Sequence, residues 1–266
     1  MGGKALFGRY WKADSPLHRL DPRTKLLGTL ALVVTVFLAQ NFWALGFLAL
    51  AIACLFPLGR IPLSQALRSI APLSFIIVLT VLFNLFFVQG GASLADWGWL
   101  RISQAGVRSA LFIGLRLTLL LLSGSLLTLT TPSLDITEAL ERLLAPLGRW
   151  GFPAHEFAFV MGLALRFLPQ FTDEFRDIRT AQVARGANLA TSPFRSGPAA
   201  LASLIVPLFA SVFRHADTLA AAMDARCYHG SQGRTRLHPL AFGARDRWAA
   251  LVLAALAAAT VALSML

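Results

Sequence analysis

Five long apolar runs decide what this 266-residue chain can become. They lie at about Leu26–Ala39, Phe42–Phe56, Ile70–Val88, Ala105–Thr131 and Trp248–Leu266. A straight span of the hydrocarbon core takes roughly 20 apolar residues, a length the last three runs reach or approach. The first two are shorter. Flanking residues such as Thr24, Gln40 and Asn41 must lengthen them, or the bilayer must thin, with a re-entrant hairpin as the competing arrangement. Backbone polar groups in lipid need internal partners, which favours helices. The expected fold is therefore all-α: a polytopic membrane protein with about five transmembrane helices. Composition agrees, because 14% charged residues falls well below the roughly 25% of soluble domains. That excludes an ordinary cytosolic enzyme and a disordered chain. The two cysteines, Cys54 and Cys227, form no metal-ligand spacing, and Cys54 sits in an apolar run, which argues against a disulfide. The first 25 residues are polar and basic, without the apolar core of a secretory signal.

Charge sets the orientation. The net charge is +11, from 24 Lys and Arg against 13 Asp and Glu. In so apolar a chain this excess reads as cytoplasmic loops rather than a nucleic-acid surface. Lys4, Arg9, Lys12, Arg19, Arg23 and Lys25 precede the first run, the turn at Gln40 and Asn41 is uncharged, and Arg60 and Arg68 follow the second run. Only Asp96 and Arg101 follow the third. The N-terminus is thus expected in the cytoplasm. Residues 1–131 then hold the N-terminal segment and four spans, residues 132–247 a cytoplasmic or interfacial module, and residues 248–266 a last span. Arg116 interrupts the fourth run about 22 Å from Thr131. It reads either as an intramembrane site or as an arginine that snorkels or bonds inside the bundle, and the second reading is favoured.

The middle module carries 13 of the 24 basic residues and reads as amphipathic helix. Asp135 with Glu138 resembles a capping box, followed by Ile136, Leu140, Leu143, Leu144 and Leu147 at helical spacing. Pro146 ends or kinks that element. A second helix starts near Pro153 and is expected to kink at Pro169. Beyond it Phe171, Phe175 and Ile178 keep one apolar stripe among Asp173, Glu174, Arg176, Asp177 and Arg179. Such a helix leaves the membrane or lies along its surface. It ends at Ala184-Arg185-Gly186, where glycine suits the left-handed position after a helix. A linker over Asn188–Pro198 leads to a third helix with Leu201, Ile205, Leu208, Val212, Leu219 and Met223 on one stripe. That helix ends at Ala225-Arg226-Cys227.

The two endings repeat. Ala181-Gln182-Val183-Ala184-Arg185-Gly186 parallels Ala222-Met223-Asp224-Ala225-Arg226-Cys227, 41 residues apart, and Phe175-Arg176 and Phe213-Arg214 lie upstream of each. A basic residue near one helix C-terminus merely offsets the macrodipole. Two matched copies suggest two cationic knobs for a partner that is itself two-fold or pseudo-two-fold, and the arginine fork can bond several acceptors in a groove. Cys227 is the departure: a cysteine is strained in the left-handed position, so the helix is free to run on toward Gly230.

Chemistry of other kinds is missing from the sequence. It has no phosphate-binding P-loop and no G-x-S-x-G, and Phe159 stands where a zinc protease would have its second histidine after His155-Glu156. The histidines are scattered, and the runs hold no acidic residue for an ion relay. No catalytic residue, cofactor or metal is expected.

These residues resemble the transmembrane (T) component of energy-coupling factor transporters, the EcfT/CbiQ-type family of prokaryotic vitamin and metal-ion importers. The resemblance runs over nearly the whole chain. It is carried by Gly8-Arg9-Tyr10, the block from Ser15 to Lys25, Leu127-Thr128-Leu129-Thr130-Thr131, Pro153-Ala154-His155-Glu156, Ala164 to Pro169, the two arginine endings and Gly233-Arg234-Thr235. It implies a non-catalytic coupling subunit in the prokaryotic plasma membrane. The partners would be two ATP-binding-cassette ATPases (A and A′ components), which hydrolyse the ATP, and one substrate-binding S component. By this resemblance Arg185 and Arg226 dock into the ATPases, Ala184, Gly186 and Ala225 shape the docking tips, and Pro169 serves as a hinge. The Pro-Ala-His-Glu and Gly-Arg-Thr blocks lean toward the type shared by several S components. The competing readings are a membrane-embedded enzyme and a basic scaffold for anionic lipid.

Overall fold

The computed structural model describes residues 10–90, 93–97, 100–146, 153–187, 198–228, 230 and 242–265. Gly8-Arg9, Leu147, residues 188–197 of the expected linker and Gly233-Arg234-Thr235 lie outside the described residues. The chain divides into two compact units, Met1–Leu143 with Pro239–Leu266, and Leu144–His238.

The first unit begins with α1 (Pro22–Leu38) and α2 (Phe42–Leu58), each of 17 residues. The Asp21-Pro22 pair starts α1: the Asp21 carboxylate accepts from the Arg23 N–H at 2.9 Å, and Pro22 takes the first helical position, where no N–H is needed. Lengthening therefore comes from the Thr24 side and, for α2, from Leu58. Gln40 and Asn41 form the turn between the helices and add no helical length.

The third run is longer than expected and broken. α3 (Leu63–Ile70) passes through a 3-10 turn at Ala71–Leu73 into α4 (Ser74–Phe87). Pro72 lies in that turn, where its missing N–H disrupts the α-helical ladder. Next comes an antiparallel hairpin, β1 (Ser93–Trp97) with β2 (Leu100–Ser103), pairing Ala95 with Ile102 and Trp97 with Leu100. No strand was expected between the third and fourth runs, and at this size the hairpin leaves the class all-α.

α5 (Gln104–Thr130) is capped by the Ser103 hydroxyl, which accepts from the Gly106 N–H at 3.0 Å. α4 and α5 approach closely there. A Cβ at Gly106 would sit 2.7 Å from the carbonyl oxygens of Leu85 and Val88, so only glycine fits. α6 (Ser133–Leu144) starts two residues before the expected cap. Asp135 thus lies in its first turn, with Pro132 O accepting the first helical bond from Ile136 N. α9 (Ala244–Met265) begins four residues before Trp248.

The core of this unit is built around α2. Leu45, Leu48, Ile52 and Phe56 are fully or almost fully buried against Val36 of α1 and Leu119, Leu126 and Leu129 of α5. α4 buries no residue and exposes Phe75, Ile76, Val78, Phe83 and Phe87, as a lipid-facing helix does. Hydroxyls within the helices bond back to the carbonyl four residues earlier, as Thr35 does to Ala31, Ser123 to Leu119 and Thr260 to Leu256. Ser64–Phe87, Gln104–Thr130, Leu201–Ala225 and Ala244–Met265 are long and apolar enough to cross a membrane, and α2 is a shorter apolar helix.

Polar groups close one end of the unit. Trp11 N donates to Leu129 O at 2.9 Å, and Lys25 Nζ donates to the carbonyls of His18 and Thr130. Asp246 is the clasp between α1 and α9. One carboxylate oxygen accepts from Asp21 N at 2.9 Å and the other from Gly243 N at 2.8 Å, the returning half of a capping box. Arg19 pairs with Asp14 in two bonds of 2.8 and 2.7 Å, while Asp21 lies 3.8 Å from the Arg23 Nε. Arg116 bonds inside the bundle. Its guanidinium donates to Ala39 O, at the end of α1, and stacks over Phe112 at 4.6 Å. It supports packing there.

The second unit contains α7 (Ala154–Ala184, 31 residues) and α8 (Pro198–Ala225, 28 residues). α7 continues as helix through Pro169, whose missing N–H leaves the Leu165 carbonyl without its usual helical donor.

Candidate functional site

The two arginine endings are built alike. α7 stops at Ala184, Arg185 caps it, and Gly186 takes φ +87°. Gly186 N donates to Val183 O and Ala187 N to Gln182 O, both at 3.0 Å. At the end of α8, Cys227 takes φ +53°. Cys227 N donates to Asp224 O at 2.9 Å and Tyr228 N to Met223 O at 3.1 Å. Both ends are the Schellman arrangement, in which the two amides after the cap satisfy carbonyls of the last turn. This corrects the expectation for α8. The helix does not run on toward Gly230, because two hydrogen bonds at about 0.5–1.5 kcal/mol each offset the roughly 1–2 kcal/mol of a left-handed residue with a Cβ.

The side chains follow from the caps. Ala184, Arg185, Gly186, Ala225, Arg226 and Cys227 are all exposed. Among the described residues no hydrogen bond or ion pair engages the guanidinium of Arg185 or of Arg226. Small neighbours on both sides leave each arginine as a single projecting cation.

A polar cluster between the helices was not anticipated. Gln170 of α7 lies 2.6 Å from the His215 Nε2 of α8, and the Ser211 hydroxyl donates to Glu174. His215 Nδ1 donates to Ser211 O at 2.9 Å, so its Nε2 is the acceptor for the Gln170 amide. The signal was present in the sequence: Ser211 and His215 lie on the inward stripe with Leu208 and Val212. Ser211 is buried, whereas Ile205, expected on that stripe, is exposed. Because Ser211 gives its proton to a carboxylate, it is not poised as a nucleophile by His215.

These contacts also fix direction. Gln170 meets His215, Glu174 meets Ser211, and Phe159 stacks on Tyr228 at 5.3 Å. Numbers rise along one helix as they fall along the other, so α7 and α8 pass in opposite directions. From the Gln170–His215 contact, Arg185 lies about 22 Å along α7 and Arg226 about 16 Å along α8. The two arginines stand at opposite ends of the helix pair. Among the described residues, no group of three or more His, Cys, Asp or Glu side chains could hold a metal ion.

Residues 13–237 match the profile of the CbiQ family, described as cobalt transport protein. The chain belongs to this family. Curated relatives agree over almost their whole lengths. The energy-coupling factor transporter transmembrane protein EcfT of Brevibacillus brevis is 44% identical over 245 residues, 92% of each chain. EcfT of Acidaminococcus fermentans is 41% identical over 94% of this chain and 92% of its own. EcfT of Bacillus subtilis is 37% identical over 95% of this chain and 96% of its own. As an EcfT/CbiQ-type protein, the chain is the transmembrane component of an energy-coupling factor transporter and a multi-pass membrane protein.

Proposed function

We propose that this chain couples two ATP-binding-cassette ATPases to a substrate-binding S component and has no catalysis of its own. ATP-driven motion of the ATPases would move α7 and α8, and these would tilt the S component to carry a vitamin or related micronutrient inward. The observation that carries this reading is the pair of matched arginine tips, both closed by the Schellman arrangement, engaged by no ion pair or hydrogen bond among the described residues, and standing at opposite ends of two antiparallel helices. Twin sites so placed suit twin partners, one at each end. Arg185 and Arg226 would dock, with Ala184, Gly186 and Ala225 keeping the tips narrow, and Pro169 would be the hinge.

The topology proposed has the N-terminus in the cytoplasm of a prokaryotic cell and the chain in its plasma membrane. Residues 1–131 hold the first four spans, residues 132–247 the coupling module and residues 248–266 the last span. α8 is apolar enough to cross a membrane, but Arg214, Asp217 and Asp224 in its last turns favour the cytoplasmic surface. The same holds for the charged second half of α7. Val206, Phe209 and Phe213 form an exposed apolar row on α8, chemistry that suits an S component in the bilayer. The type shared by several S components is favoured.

The test is co-purification from native membranes in mild detergent, followed by mass spectrometry. The wild-type chain should bring down two ATPases. Arg185→Glu and Arg226→Glu should each lose association or transport while the chain remains in the membrane. Normal transport by the double variant would refute the docking role.

A further inference from the structure

A cavity of about 410 Å³ opens between α1 and α9 of the first unit. Gly28 and Ala31 of α1 face Ala250, Ala254 and Ala257 of α9, and Leu253 closes the back. The floor is the helix contact itself, since a Cβ at Gly28 would lie 2.9 Å from the Leu253 Cδ1. The walls are apolar, and polar groups appear only at one end, where Phe242, Asp246 and Arg247 form the mouth.

The charge at that mouth is cationic in effect. The Asp246 carboxylate is turned inward and spent on Asp21 N and Gly243 N. Arg247 and its neighbour Arg245 are exposed, and among the described residues no ion pair engages Arg247. The Arg23 guanidinium lies over the Phe242 ring at 5.0 Å. Trp248, in the same turn of α9, is 69% exposed. Arginines beside an exposed tryptophan at the start of an apolar helix mark headgroup depth.

Length decides what the groove can hold. From Asp246 to Ala257 is about 16 Å along α9. Beyond it Thr260 is fully buried, so the groove does not continue along that face. The hydrocarbon core is about 30 Å thick, so the groove is as deep as one leaflet. A transmembrane helix of a partner, or of a second copy, would need a groove running through both. The occupant that fits is apolar for half a bilayer and anionic at the end beside Arg247.

We propose that this groove binds one anionic phospholipid, with an acyl chain between α1 and α9 and its phosphate on Arg247. With the N-terminus in the cytoplasm, as proposed above, the groove opens in the cytoplasmic leaflet, and that placement alone rests on the proposed orientation. The lipid would seal the gap between α1 and α9 at the level of the Asp246 clasp.

The full-length chain in nanodiscs with equal phosphatidylglycerol and phosphatidylcholine in both leaflets gives the test, independent of orientation. Lipids that stay bound on release into the mass spectrometer are identified. One phosphatidylglycerol should be retained in preference to phosphatidylcholine, and excess inorganic phosphate should not displace it. Arg247→Gln should cut that preference about five-fold, the factor for one arginine at an anionic surface. Ala254→Leu, at an exposed position, should fill the groove and abolish retention of either lipid. Equal retention of the two lipids would overturn the proposal, as would preference unchanged in both variants. Loss of the lipid when the chain is assembled with its partners would give the groove to a protein segment and would also overturn it.

Discussion

Cys227→Gly should tighten the tip of α8 without touching Arg226. The two tips share the Ala-Arg pair and the same two cap bonds, and differ at the left-handed position, Gly186 against Cys227, and at the residue after it, Ala187 against Tyr228. Gly186 adopts φ +87° at no steric cost, whereas Cys227 holds φ +53° with a Cβ. A left-handed residue with a Cβ costs about 1–2 kcal/mol. Glycine removes that cost and returns about 0.4–1 kcal/mol through the freer unfolded chain. The net gain is about 0.5–1 kcal/mol, or a two- to five-fold lower local opening constant. The amide to watch is Tyr228, whose bond to Met223 O at 3.1 Å closes the tip. Hydrogen exchange there, in the detergent-purified chain, should slow by that factor. The reciprocal Gly186→Cys should speed exchange at Ala187 by a similar factor. A Cβ at Gly186 meets nothing within 4 Å, so its penalty is backbone conformation alone. Exchange at Tyr228 that is unchanged or faster in Cys227→Gly would refute the reasoning.

Three further outcomes follow from the first unit. Gly106→Ala should fail to fold or lose much of its thermal stability in detergent, because its Cβ meets two backbone oxygens at 2.7 Å, while Gly124→Ala, with nothing within 4 Å, should be near neutral. Arg116→Leu should lower the unfolding temperature by the equivalent of about 1–3 kcal/mol, since it strands the Ala39 carbonyl, while transport per folded molecule persists; lost transport at unchanged stability would restore an intramembrane site. Burial holds the His18 imidazole below its ordinary 6.5, against the opposing hydrogen bond to the Trp11 carbonyl. The unfolded chain then takes a proton the folded chain declines, so stability is full above about pH 6.5 and falls as pH drops below it. Thermal unfolding between pH 7.5 and 5.5 should show this slope, and His18→Gln should flatten it.

What could be read in advance was set by local rules. Apolar length places α2, α5 and α9 within a few residues, whereas α1 starts at Pro22, ahead of the expected Leu26. Terms between distant residues were hidden. Asp246 clasps Asp21 from 225 positions away, and only the Gly243-x-x-Asp246 spacing, half of a capping box, hinted at its role. Arg19 pairs with Asp14, which offers both carboxylate oxygens to the guanidinium fork. The hairpin at Ser93–Ser103 was illegible for a different reason. Its strands are five and four residues long, too short for the alternation of Leu100-Arg101-Ile102-Ser103 to stand out beside the long apolar runs.

The arginine tips show where a local rule gave the right residues and a wrong backbone. Ala-Arg-Gly and Ala-Arg-Cys looked like one motif with a defect, and the residue preference argued that Cys227 would let α8 continue. A helix end is a sum over several residues, however. Stopping at Ala225 lets Cys227 N and Tyr228 N close on Asp224 O and Met223 O. It also lets Tyr228 lie on Phe159, at the start of the antiparallel partner. Such offset aromatic contact adds about 0.5–1.5 kcal/mol. Running on toward Gly230 would forfeit that placement. The stack between α7 and α8 thus helps to set where α8 ends, and so where Arg226 projects. If so, Tyr228→Ala should loosen the α8 tip and leave the α7 tip unchanged, because Gly186 needs no tertiary support to turn left-handed. Faster exchange at Cys227 with none at Gly186 is the expected pattern; equal loosening of both tips would mean that the stack holds the helix pair as a whole rather than one cap.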